Sequence, residues 1–431
     1  MKFAPTKLAL SLSVIAAAVL TGCGGSSSGD NGSDSLVVPT DYEFYDANGE
    51  STVSYSGQTF RIVLLEDLID QGVAGADFDD DIDEALSTYF DFDSATNGAN
   101  NYGFALSSSN PTAASVTLVP SPTYNDISSG KTLAEKIAGN DKVAHLQYDT
   151  IIGYPGDLAD GEAVYDDLVS RFQMHLDSIP APTITTANGE EALPATVNDE
   201  GVDFAQLIEK FLRGAIAFNQ GTADYLSTDW TAAGNNDVLD GKTYTNNEHK
   251  WDEGFGYFGA SRFYGSFTDD EIAGKATTSE KNVFWDHNAD TEIDLGSEYN
   301  LGHAVNCGKR DRGSNGVTDY SKVAFDAFLT GRAILNAYAL RGGDLTSAEV
   351  AEVEEQAEIA AQAWEACIAA TAVHYINDVV ADYEAIGATN LFDDLAAYTT
   401  FAKHWSELYG FALILQFSPY SPFAHPSVSY E

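Results

Sequence analysis

Apolar residues recur at helical spacing through much of the second half of the chain. Phe204, Leu207, Ile208, Phe211, Leu212 and Ala215 are separated so that they line one stripe of an α-helix. Phe325, Phe328, Leu329, Leu335 and Tyr338 predict another helix over 322–340. Thr346 and Glu349 form a capping box that opens a helix of unusual length, running to about Tyr383. Its inner stripe is Val353, Ala357, Ala360, Trp364, Cys367, Thr371, Tyr375 and Val379. A last helix over 391–416 stops before Pro419. Long helices joined by short connections imply a bundle.

The first half is less regular. Val53, Tyr55, Phe60, Ile62 and Leu64 alternate between turn residues and predict a small hairpin or edge structure within 41–65. The acidic stretch 77–93 keeps Ile82, Leu86, Tyr89 and Phe90 at helical spacing and reads as a surface helix. Residues 94–130, rich in Ser, Asn, Thr and Pro, read as an irregular excursion. Pro180, Pro182 and Pro194 mark a loop-like break over 178–202. The expected fold is mainly α, with one or more helical bundles and a small β or irregular N-terminal portion. The break separates 41–200 from 201–431, or else 41–431 is one continuous domain.

The N-terminus changes the picture. Lys2 and Lys7 precede an apolar run from Leu8 to Leu20, followed by Leu20-Thr21-Gly22-Cys23. Spanning a bilayer takes about 20 apolar residues, and this run is shorter. It reads as a lipoprotein signal peptide over 1–22, with acyl chains on Cys23 as the membrane anchor. The Gly/Ser/Asp tract that follows has nothing to bury and reads as a flexible tether over 23–40. Gly24 stands where Asp would signal inner-membrane retention, so the expected location is the outer membrane.

The formal net charge is −45, which makes nucleic acid and anionic head groups poor partners. Cys23 is used by lipid, leaving Cys307 and Cys367 as an even pair in an oxidising compartment, either bridged or buried as free thiols. No second pair of cysteines exists to complete a zinc ribbon. Gly130-Lys131-Thr132 lacks the upstream glycine of a phosphate loop, since that position is Asn125. There is no H-E-x-x-H pattern and no G-x-S-x-G elbow, the one such spelling, Gly25 to Gly29, lying in the Gly/Ser tract, so catalysis has no positive support.

Two patterns carry candidate chemistry. Asp286, Asn288 and Asp290 alternate, Glu292 offers a backbone carbonyl, and Asp294 and Glu298 complete an oxygen-rich loop resembling an EF-hand calcium site. Thr291 stands where glycine is usual, and Glu298 falls one place late. The alternative is a turn that is merely rich in Asp and Asn. The second pattern pairs His249 with Glu253 and His404 with Glu407 at helical spacing, each pair on one helix face. Imidazole and carboxylate from two facing helices are what a buried iron or zinc site in a bundle uses. Alone, each pair reads as a hydrogen-bonded core histidine or a surface ion pair.

The segments 130–142, HKWDEGFGYFGASRFYG (249–265), DLGSEYNLG (294–302), CGKRDRG (307–313) and AKHWSELYGFALILQFSP (402–419) resemble the bacterial lipoprotein family known as domain of unknown function 4856. That resemblance covers nearly all of the chain after the tether and implies a fold rather than an activity. More distantly, His404 and Glu407 resemble the G-x-H-x-x-E motif of the imelysin group, which is associated with iron uptake, with Ala402 in place of its glycine. The expected function is a non-enzymatic, lipid-anchored binding protein in metal handling, iron first, with envelope uptake proteins as partners. A calcium-stabilised scaffold and an imelysin-type metallo-hydrolase are the alternatives.

Overall fold

The first helix, α1 (Ser56–Asp67), occupies the stretch where alternation predicts a hairpin. Only an isolated bridge, Tyr45 to Ser51, remains of that expectation. The reason is burial: Ile62, Val63, Leu64 and Leu65 are all covered, so the helix has no polar face to reveal its period. The computed structural model describes residues 36–92, 95–96, 106, 115–120, 123, 126, 132–140, 146–386 and 394–422. The signal segment, Cys23, nearly all of the tether and much of 94–130 lie outside the described residues.

Helix α1 runs on as a π-helical turn, Leu68–Val73. Helix α2 (Ile82–Phe90) is the expected acidic one, opened by Asp81, whose side chain accepts the Glu84 N–H. Helix α3 (Gly161–Leu176) is capped by Asp160 and buries Val164, Leu168 and Phe172. Helix α4 (Phe204–Leu212) carries the predicted stripe and then continues as two π-helical stretches, Arg213–Phe218 and Gln220–Tyr225. Gly214 permits that continuation to lie close to the last helix, because a Cβ there would sit 2.2 Å from the Ile414 Cβ.

Helix α5 (Asn246–Phe258) opens with a capping box between Thr245 and Glu248 and ends at Gly259 in the left-handed conformation. The short α6 (Asp269–Ile272) and α7 (Gly302–Ser314) follow, then α8 (Tyr320–Arg341), α9 (Ser347–Ile386) and α10 (Leu395–Ile414). Helix α9 packs on both α8 and α10, and α10 packs on α4, giving the expected bundle. Gly331 on α8 lets the Trp251 indole of α5 pass at contact distance; a Cβ there would lie 2.1 Å from the ring.

Strands are few and short. β1 (Thr117–Val119) pairs in parallel with β4 (Glu292–Asp294). Within the 178–202 stretch, β2 (Thr183–Thr186) and β3 (Gly189–Ala192) form a hairpin that the proline-rich sequence conceals. Residues 36–431 cluster as one unit. Phe172 stacks on Phe204 at 4.9 Å, so side chains from before and after the 178–202 stretch share one core.

Candidate functional site

Helix α5 presents four acidic or imidazole side chains, and they divide into two kinds. Glu248 and Asp252 face inward and are fully buried. Arg332 of α8, itself wholly buried, donates to Glu248 Oε1 and Asp252 Oδ1 at 2.7 Å each and to the Thr52 carbonyl at 3.0 Å. Asp252 also accepts from the Tyr42 hydroxyl at 2.9 Å and the Ser54 N–H at 2.9 Å. Every charge here has partners, as a buried ion cluster requires. Arg332 was not singled out by the sequence reading; an arginine within an otherwise apolar helical stripe is the signal that marks it.

His249 and Glu253 lie on the more open side of α5. The His249 Nδ1 is 2.9 Å from the Ser54 carbonyl, its ring stacks on Tyr244, and its Nε2 is 3.8 Å from Glu253 Oε1. Glu253 accepts from Gln58 Nε2 at 2.7 Å, and burial pushes its carboxyl above the usual range. On α10, His404 Nδ1 meets Asp382 Oδ2 at 2.7 Å. Glu407 lies 3.5 Å from Lys210 Nζ, beside a Tyr375 phenol that burial and Glu407 together push up.

The expected convergence of His249, Glu253, His404 and Glu407 on one point is therefore corrected. Among the described residues no three of these side chains bring ligand atoms within 4.8 Å of one another, and their partners differ: His249 and Glu253 reach Ser54 and Gln58, whereas His404 and Glu407 reach Asp382 and Lys210. Among the described residues, the one group of three or more ligand-type side chains with atoms within 4.8 Å of one another is Asp269, Asp311 and Asp319. Asp311 is buried and its carboxylate receives Thr318 Oγ1 and the N–H groups of Tyr320 and Ser321, closing the start of α8. Burial and the neighbouring carboxylates push Asp269 and Asp319 up. Asp269 and Asp319 line a cleft of about 760 Å³ whose wall includes Phe267, Ile272 and Phe325. Arg312, from the same basic run as Lys309 and Arg310, pairs with Asp270.

The acidic loop has a definite shape. Asp286 accepts the N–H groups of Asp290 and Thr291 at 3.1 and 2.9 Å, Asn288 Oδ1 accepts that of Asp290 at 3.0 Å, and Asp290 Oδ1 accepts that of Glu292 at 2.8 Å. Thr291 has φ 71°, the left-handed conformation that glycine would take without strain. Glu298 is buried, and its two oxygens accept from His287 and Asp294 N–H at 2.9 and 3.0 Å. Burial raises its carboxyl above the usual range. Asp294 accepts the Gly296 N–H at 2.6 Å, and Glu292 and Asp294 form the ends of β4. Loop oxygens at alternate positions are thus oriented by backbone donors, each retaining lone-pair capacity.

A partly buried ion network joins α1, α4 and α10. Arg213 meets Glu66 at 2.5 Å and Glu209 at 2.9 Å, and Lys210 meets Glu209 at 2.5 Å. Arg213 opens the π-helical extension of α4, and π turns are often found at functional positions. Cys307 of α7 and Cys367 of α9 form a disulfide, with Cα atoms 4.9 Å apart. No helix among the described residues is long and apolar enough to cross a membrane.

No curated protein and no solved structure matches the chain. The profile described as Domain of unknown function (DUF4856) matches residues 39–421. With that match spanning nearly the whole of the described fold, the chain belongs to the DUF4856 family.

Proposed function

We propose that the protein is a lipid-anchored envelope protein that binds a hard divalent cation through oxygen ligands and catalyses no reaction, with calcium held by Asp286, Asn288, Asp290 and the Glu292 carbonyl. The observation that carries this reading is the 286–292 turn, in which backbone N–H groups orient three successive side-chain oxygens at alternate positions. Asp294 and Glu298 hold the second half of the loop in shape rather than completing the ligand shell. Iron or zinc across His249, Glu253, His404 and Glu407 draws no support from their separate partners. Cation handling at the envelope is the broader role this reading supports, with β1 and β4 as the element the ion would steady.

A ligand that binds only the folded state raises its stability by mass action. The melting temperature is therefore expected to fall on chelation and to return with calcium. Asp286→Ala should abolish that response while leaving the fold intact. Elemental analysis of protein purified without chelator should find calcium and no stoichiometric iron or zinc. A melting curve indifferent to both calcium and chelator would sink the proposal.

A further inference from the structure

Helix α9 meets solvent in two ways along its length. In its first half the outward positions are charged: Glu354, Glu355 and Glu358 are exposed, while Val353, Ala357 and Ala360 are buried. Such a face needs no neighbour. In its second half the inward stripe continues through Trp364, Cys367 and Thr371, all buried, and through Tyr375, whose ring stacks on Phe411 of α10. The outward side now turns apolar as well. Val373, Ile376, Val380 and Tyr383 are 56%, 47%, 50% and 69% exposed.

These four follow one another at spacings of three, four and three, which sets them on a single seam of the helix. Apolar side chains exposed singly are ordinary, whereas a contiguous seam marks a docking surface. The same alternation of three and four is what a second helix fills by packing knobs into holes. The seam is ~15 Å long, which suits a short amphipathic helix laid along it.

Charge decides which helix that is. No Lys or Arg stands anywhere between Ser347 and Ile386. Asp378 has His374 at 3.2 Å and Arg310 of α7 nearby, and Asp382 has His404 at 2.7 Å. No basic residue pairs with Glu384 among the described residues, and the last turn of the helix holds no base to answer the partial negative charge at its end. A second copy of α9 would set acid against acid, and an anionic bilayer surface would be repelled in the same way. A helix that carries Lys and Arg beside its own apolar stripe matches both the seam and the charge.

We propose that the outward seam of α9 docks a basic amphipathic helix of another protein. Val373, Ile376, Val380 and Tyr383 supply the apolar contact, and Glu384 with the helix end orients the partner's cations. The test uses the full mature chain. A benzophenone photo-cross-linker placed at position 376, and separately at 380, is activated in cells, and the joined peptide is sequenced. The expected product is a peptide of another protein in which Lys or Arg flanks apolar residues at the same three-four spacing. A second copy of this chain, one of its own segments, lipid, or no product at all overturns the proposal. In solution, a three-heptad Leu/Lys peptide should bind the parent about tenfold more tightly than a variant carrying Val373→Gln, Ile376→Gln, Val380→Gln and Tyr383→Gln. That variant keeps the net charge, so equal affinity would reveal attraction to the acidic surface alone and overturn the seam as the site. The cross-linking result stands even if the variant fails to fold.

Discussion

Arg332 shows what one buried side chain decides. It neutralises Glu248 and Asp252 together, and burial pushes the Asp252 carboxyl up while Arg332 draws it down. Removing one partner of a buried ion cluster typically costs about 3–5 kcal/mol, because the other charges stay behind unpaired. Arg332→Met should destabilise by that amount in urea denaturation; a loss under about 1 kcal/mol would contradict the assigned role. Glu365 is a different case. It is buried, accepts the Ser421 hydroxyl at 2.6 Å, and burial lifts its carboxyl from 4.5 to about 7. The folded state therefore holds this proton more tightly than the unfolded chain does. Its stabilising contribution is complete below about pH 4.5 and is lost as pH rises through about 7. Glu365→Gln keeps an acceptor for Ser421 and removes the titration, so its melting temperature relative to the parent should climb between pH 5 and pH 8. A constant offset across that range would show that Glu365 does not carry the dependence.

At the scale of elements, the legible ones were those with a single buried stripe. Helices α8, α9 and α10 announce themselves by period, and the Thr346–Glu349 box marks where α9 starts. Helix α1 was illegible because burial on every side erases periodicity, and β2–β3 because prolines at 180, 182 and 194 mask a four-residue pairing. The candidate site was legible in part. Spacing brings His249 within 3.8 Å of Glu253, whereas His404 and Glu407 take Asp382 and Lys210 as partners, because spacing within one helix says nothing about which neighbour it packs against. Arg332 was missed for the same reason, since it acts on an element distant in sequence, and Asp311 because a carboxylate that holds the start of the next helix leaves no periodic signal. The Cys307–Cys367 bond, by contrast, was one of the two readings that an even count and an inward-facing stripe left open, and the structure has it formed. It joins α7 to α9 across a separation of 60 residues, for which chain entropy gives ~4 kcal/mol. The Cys307→Ser, Cys367→Ser double variant should unfold at correspondingly lower urea, and unchanged stability would show that the bond does not form in the native compartment.

The whole molecule combines a net charge of −45 with an interior that gathers its scarce cations. Arg213, Lys210 and Arg332 all sit where carboxylates converge, leaving the surface strongly acidic. Such a surface repels anionic head groups, so attachment to a membrane rests on the lipid proposed at Cys23. Cys23→Ser should move the protein from the membrane to the soluble fraction on centrifugation, and retention of the variant would point to another anchor.

Tension is the quantity such an anchor transmits. A pull delivered at Leu36 travels first into residues 42–54. There Tyr42 stacks on Phe255 at 3.8 Å and donates to Asp252, Arg332 grips Thr52, and the Ser54 N–H is held by the same Asp252. The load is thus handed from the leading segment to α5 and α8 in the core. The buried clamp that looks like ordinary packing at equilibrium is, under load, the latch that ties the leading segment to the core.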